Sequence, residues 1–354
     1  MGINIPRNVK GYTFNQAQAP SGNKTGGDTW FDTTLEYGRV WDENLNKWKV
    51  IIDGKGYGYA CGGYYDVSNV FSVIDRMQFP FNTGTANHVG NLSGSRYAPS
   101  GNNSSNYGYI CGGLQSAVRV SMIDRITFPF DSGNANNIGS LSISRNTSAA
   151  NNSSIYGYVS GGNTGSSTSI IDRFLFPFDS GTATNVGNLS SSHTASGNNS
   201  SNYGYILGGN PSGGALSTID RFAFPFESGT ASHVGNLSST GYNISACNSS
   251  IYGYGSGGYG AAIYSIINRF AFPFDSGTAS HVGNLSLTCQ NTAGNNSTIH
   301  GYVIGGSSNG FYISNIYSLS FPFDSGIASN SGNINNICYA PTGLDTTDFN
   351  GLFD

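Results

Sequence analysis

Histidine, cysteine and the carboxylates are the side chains that could hold a metal ion or move a proton, and their spacing decides which of those chemistries is open. The sequence has five histidines and five cysteines. His88, His233 and His281 share one slot of a repeated segment of the form T-A-x-H-V-G-N-L-S, where Asn137, Asn185 and Asn330 stand in other copies. Equivalent positions of successive copies radiate apart, so these three cannot converge on one ion. His193 and His300 fall in other slots, with no Cys or Asp partner evident. Cys61, Cys111, Cys247, Cys289 and Cys338 form no C-x-x-C pair, and their odd number argues against a disulfide framework. Cys61 and Cys111 precede Gly-Gly pairs and read as small buried apolar residues. No metal site and no cofactor is expected.

Catalytic signatures are equally absent. There is no phosphate-binding loop and no H-E-x-x-H. Carboxylates are scarce and mostly belong to the repeat. A glycosidase pair would have to be assembled from Asp66, Asp345 or Asp348. The chain is therefore expected not to be an enzyme. Charged residues make up 10% of it, against about 25% in an average soluble protein, and the net charge of -4 offers no basic surface to nucleic acid. No apolar run approaches membrane-spanning length, and the N-terminus has no apolar core of a signal peptide, so no membrane partner is expected.

What positions these residues is a repeat with a period of about 48 residues. Y-G-Y-x-x-G-G opens at Tyr57, Tyr107, Tyr156, Tyr203 and Tyr252, and in weakened form at His300. In each copy I-D-R-F-x-F-P-F-D-S-G-T-A-x-x-V-G-N-L-S or a variant follows. Each copy parses into four strands. A small-residue segment such as Tyr97-Ala98-Pro99-Ser100-Gly101 is strand one, Y-G-Y-x-x is strand two, I-D-R-F-x-F is strand three and T-A-x-x-V-G-N-L is strand four. Pro80 and its equivalents cannot donate to a ladder and belong at strand ends. D-S-G is a tight turn with Gly in the left-handed region. Strand alternation places Asp75 and Arg76 on opposite faces. The expectation is a ring in which Asp75, Asp124, Asp172 and Asp220 face Arg76, Arg125, Arg173, Arg221 and Arg269 of neighbouring units.

Four antiparallel strands at this period point to an all-β fold, a β-propeller occupying residues 57–354. Tyr339-Ala340-Pro341-Thr342-Gly343 copies Tyr97 to Gly101 with no unit of its own following, while the Tyr57 strand has no such segment ahead of it. The last strand should complete the first blade. That gives six blades; a seventh, built from Trp41 to Ile52 and the C-terminal tail, is the alternative. Residues 1–56 form a separate piece that holds all three tryptophans, Trp30, Trp41 and Trp48, and every lysine. Its first twenty residues read as an extended arm, and L-E-Y-G-R-V-W with K-W-K-V-I reads as a hairpin around Asp42 to Asn46.

The Gly-Gly after strand two, Arg96 and Arg145 opening strand one, and the acidic turn between strands three and four resemble the kelch repeat over residues 57–354. Val89, Ile138 and Val186 stand where kelch repeats place a tryptophan. Separately, G-D-T-W-F-D-T-T with R-V-W-D and K-W-K-V, within residues 25–51, resembles a short module of bacteriophage tail-fibre and other virion proteins. These resemblances imply a virion structural protein, made in the host cytoplasm and carried on the phage tail or capsid surface. Residues 1–56 would attach to other virion proteins through Trp30, Phe31, Trp41 and Trp48. The propeller would bind a host-surface glycan or protein, and the chain would form a homo-oligomer in the particle. The alternatives are a purely structural capsid or tail decoration protein and a propeller enzyme acting on surface polysaccharide.

Recognition residues are sought where copies differ, in the loop after Gly-Gly. The two-to-three and four-to-one loops of a four-stranded blade emerge on one face. That face collects Tyr64, Tyr65, Phe71, Tyr259, Tyr264, Phe311 and Tyr312 with the basic groups Arg96, Arg119, Arg145 and His193. Aromatic and Arg side chains are favoured anchors, and aromatic faces suit sugar rings.

Overall fold

The computed structural model describes residues 13–16, 29–32, 37–42, 47–51 and 56–347, except 67–68, 195 and 212–213. The chain divides into two compact units, Met1–Lys55 with Leu352–Asp354, and Gly56–Gly351. In the first, Tyr37–Asp42 and Lys47–Ile51 pair antiparallel with Trp41 opposite Trp48. The expected hairpin is present and is part of a larger sheet. Thr29–Asp32 adds antiparallel to Tyr37–Asp42, and Thr13–Gln16 adds parallel at the edge. The side chains of Trp30, Phe31, Trp41 and Trp48 lie outside the described residues.

The second unit is a six-bladed β-propeller. Its second blade, Ser100–Asn103, Tyr107–Cys111, Met122–Thr127 and Asn136–Ser140, is an antiparallel meander that the others repeat. The period-two alternation of Y-G-Y-I-C sends Tyr109 and Cys111 against blade three and Ile110 against blade one. Each junction between neighbouring blades thus holds one apolar cluster. The ring closes as expected: Thr342–Asp345 pairs antiparallel with Tyr57–Cys61, Leu344 opposite Tyr59, as strand one of blade one.

The uniform motifs are the fasteners of that ring. The second tyrosine of every Y-G-Y, or its equivalent Tyr302, is buried, and its hydroxyl accepts from the N–H of the Phe after the proline in the next blade. Tyr59 receives Phe130 at 2.9 Å and Tyr109 receives Phe178 at 3.1 Å, and Tyr302 closes the circle on Phe81 at 3.0 Å. Nearer the axis, Asn102 Nδ2 donates to the carbonyls of Asn151 and Tyr158 in blade three, and Asn151 repeats this on Asn198 and Tyr205 in blade four. The second Asn of N-N forms a chain of such bonds from Asn103 round to Asp345, which accepts from the Asn296 N–H at 2.9 Å.

The expected Asp-to-Arg ring is corrected. Arg76 stacks over Tyr57 of its own blade at 4.5 Å and pairs with Asp131 in the D-S-G turn of blade two, and Arg125 and Arg221 do likewise with Asp179 and Asp275. Asp124 instead accepts from the N–H and hydroxyl of Ser93, the serine of N-L-S, at 2.9 and 2.7 Å. Asp and Arg therefore serve two separate circles. Alternation places them on opposite faces, and the long guanidinium reaches the outer turn while the short carboxylate meets the adjoining loop.

Candidate functional site

One face is assembled by the Gly-Gly pairs. Both glycines of each pair have positive φ, 68° and 112° at Gly62 and Gly63, and a Cβ on Gly62 would run into the Arg96 carbonyl. The turn lets Gly63 N–H donate to Arg96 O at 2.9 Å, joining the two-to-three loop to the four-to-one loop. Gly113 does this with Arg145, Gly162 with His193, Gly209 with Gly241, Gly258 with Cys289 and Gly306 with Cys338.

The side chains in that slot do not face a partner, which corrects the expectation for Arg96, Arg145 and His193. Arg96 is 1% exposed and Arg145 0%. Each guanidinium sits 2.9 Å from a buried carboxylate, Asp124 and Asp172 respectively, and donates to a strand-two carbonyl. His193 is 0% exposed, its Nδ1 lies 3.1 Å from Ser191 Oγ, and burial pushes its imidazole down while Asp220 opposes the shift. Burying a charge is costly unless it is paired, so these arginines are held inward by the very carboxylates that need them.

What the face does present is aromatic and gathered on three adjacent blades. In blades six, one and two the loop after Gly-Gly is drawn into a hairpin: Ser307–Ser308 with Phe311–Tyr312, Tyr64–Asp66 with Asn69–Val70, and Leu114–Gln115 with Val118–Arg119. Each exposes an apolar residue, Phe311 at 76%, Tyr65 at 49% and Val118 at 65%. Beneath them lies a tyrosine cluster. Tyr64 stacks on Tyr97 at 4.8 Å and touches the rings of Tyr312 at 5.5 Å and Tyr339 at 5.6 Å. Tyr65 meets Tyr312 edge-on at 5.9 Å. Tyr312 donates its hydroxyl to Tyr64 at 3.0 Å, and Asn291 Nδ2 donates to the Tyr339 hydroxyl at 2.7 Å. That hydroxyl-to-hydroxyl bond, ahead of burial, pushes Tyr312 up to about 12, and burial does the same for Tyr339.

The structure thus brings Tyr64, Tyr65, Phe311 and Tyr312 together, with Arg119 on the neighbouring hairpin. Phe71 is half-buried against the core between blades six and one. Tyr259 packs on Tyr242 at 5.4 Å across the ring, and the Tyr264 hydroxyl accepts from Ala261 N–H in its own loop, so neither joins the cluster. Tyr97, Tyr339 and Asn291 were not anticipated. Their signal was the Tyr ahead of Ala-Pro in two copies of strand one, which marks a ring beside the axis.

The cluster borders the mouth of the central channel. Ala98, Thr147, Asn243, Asn291 and Ala340 there all have φ between 51° and 56°. Ala98 N–H donates to Ala340 O, Thr147 to Ala98, Asn291 to Asn243 and Ala340 to Asn291, so backbone amides link hand to hand around the opening. The cavity they guard is about 140 Å³ and is lined by Ser, Thr, Asn, Gly, Ala, Pro and Ile side chains, with no ionisable group. Among the described residues no three His, Cys, Asp or Glu side chains gather. Asp66 accepts from Asn69 on its hairpin, whereas Asp345 lies at the opposite end of the same blade, and Asp348 lies outside the described residues.

No protein-family model and no curated protein matches the chain. Among solved structures it is similar to that of YjhT, with a TM-score of 0.60 and 11% identity, covering 75% of this chain and 96% of that one. The likeness is one of fold. It also corrects the expectation that the chain is not an enzyme: YjhT is itself a propeller enzyme, so the fold excludes no reaction. At 11% identity the likeness assigns none either.

Proposed function

We propose that this chain is a bacteriophage virion protein of kelch-like repeats, a tail-fibre or appendage adhesin whose propeller face binds a host-surface glycan or protein. Residues 1–56, with the Trp-rich segment that resembles virion modules, attach it to other virion proteins, and copies of the chain assemble in the particle. The observation that carries the reading is the tyrosine cluster beneath the exposed Tyr65, Val118 and Phe311. Six-fold fasteners need uniform residues, and this patch departs from uniformity on three adjacent blades. Rigid aromatic side chains held by their neighbours supply contact area at low entropic cost, and clustered exposed apolar groups mark interaction sites.

Particles provide the test. Antibody raised against the propeller should decorate a host-facing appendage and block adsorption. Normal adsorption by virions that lack the chain would leave a structural decoration role in its place.

A further inference from the structure

Arg119 is the exception among the described arginines of the propeller. The others face a carboxylate, from Arg96 with Asp124 at 2.9 Å to Arg173 with Glu227 at 3.8 Å. Among the described residues Arg119 forms no ion pair, and its Nε is buried without a hydrogen-bond partner. It is half-buried on the blade-two hairpin, opposite Leu114 and next to the exposed Val118. Leu114 in turn bridges to Tyr97, the ring stacked on Tyr64. Its charge is felt at Tyr97, where it opposes the upward push of burial on the phenol. A lone guanidinium thus stands at the edge of an aromatic platform, on a face whose other arginines, Arg96 and Arg145, are consumed by internal carboxylates.

We infer that Arg119 binds the carboxylate of an acidic sugar, a uronate residue of a host-surface polysaccharide, while the neighbouring tyrosines take the sugar ring. The inference rests on the adhesin reading and adds the ligand class to it. A guanidinium offers planar paired donors that match a carboxylate, and a half-buried position strengthens the contact over one in open water. Aromatic rings beside it take the apolar face of a pyranose. Neutral sugars would leave the Arg119 donors unmatched, and a bound site penalises such unpaired buried groups.

Titration calorimetry on the full chain tests this with oligosaccharides of galacturonate, glucuronate and mannuronate, each beside its carboxyl-reduced counterpart. At least one uronate should bind about tenfold more tightly than its reduced form. Arg119→Gln should erase that preference. Equal affinity within all three pairs, binding of neither form, or a preference that survives Arg119→Gln overturns the assignment. Binding of the labelled chain to host cells separates the two claims: cells bound despite such a result leave the adhesin reading intact, and cells unbound remove both.

Discussion

Arg96 Nη2 lies 2.9 Å from Asp124 Oδ2, and neither side chain reaches solvent. The pair is one of six versions of the same junction. Arg145 meets Asp172, and His193 stands opposite Asp220. Where the slot is Gly241 the carboxylate has become Asn268, and where it is Cys289 the partner is Tyr317. In these five versions a basic side chain stands in the slot where a carboxylate stands in the strand, and none where the strand has lost it, in keeping with the cost of an unpaired buried ion.

Arg96→Met should therefore lose about 3–5 kcal/mol, because it leaves the Asp124 side chain buried without its cation. Adding Asp124→Asn should recover most of that loss, since blade five already holds Asn268 without a cation, its Oδ1 accepting from Ser238 N–H at 2.9 Å. Urea unfolding of the two single variants and the double gives the coupling. Strictly additive losses would contradict the pairing.

Asp75 is the version without a cation in its slot, which holds Cys338. Burial raises its carboxyl above the ordinary range, against the opposing Asn335 N–H and His88. The folded chain thus favours protonated Asp75. Its contribution to stability is complete below the ordinary carboxylate value of about 4 and fades as pH climbs through the raised value. Asp75→Asn should gain stability relative to wild type between acidic and neutral pH. A difference between the two proteins that stays constant across that window would refute the assignment.

The fastening of Tyr109 to Phe178 N–H should be measurable on its own. Tyr109→Phe keeps the ring stacked on Phe176 and removes the acceptor, leaving a buried N–H unpaired. A loss of about 1–3 kcal/mol is expected by thermal or denaturant unfolding. An unchanged midpoint would mean that water replaces the hydroxyl.

Ser116 and Ala117 turn the Arg119 hairpin with φ of 46° and 67°, where the corresponding turn of blade six uses Asn309 and Gly310. Both central residues of such a turn want the left-handed region, which costs a non-glycine about 1–2 kcal/mol. Ala117→Gly should increase amide-exchange protection in Leu114–Arg119 without moving the rest of the propeller. Faster exchange there would show that the turn is not what limits the hairpin.

The repeat made most of the ring legible. Period, strand count and closure follow from Tyr97-Ala98-Pro99 and its unattached copy at Tyr339, because a strand without a blade must find one. Alternation assigns Asp75 and Arg76 to opposite faces but says nothing of reach, and so their partners were misjudged. Arg96 looked like a loop cation because its carboxylate, Asp124, lies a full strand pair away in sequence. The left-handed ring at Ala98 and Thr147 was hidden for a related reason: neither residue type advertises positive φ, and only the amides of neighbouring blades hold them there. The candidate face was located by where copies differ, but its tyrosine cluster also draws Tyr97 and Tyr339 from strand-one segments that looked like scaffold.

The central claim is that the face of blades six, one and two meets the host. Binding of the full labelled chain to host cells, compared among wild type, Tyr65→Ala with Phe311→Ala, and a control with Ile155→Ser and Ile251→Ser on the opposite face, tests it directly. Truncating a clustered aromatic anchor costs about 2 kcal/mol or more, so if even one of the pair is an anchor the double variant should weaken binding by about thirtyfold or more at unchanged stability. The control, whose isoleucines are as exposed as Tyr65, should bind like wild type. Undiminished binding by the Tyr65 and Phe311 variant, or loss confined to the isoleucine control, would contradict the account.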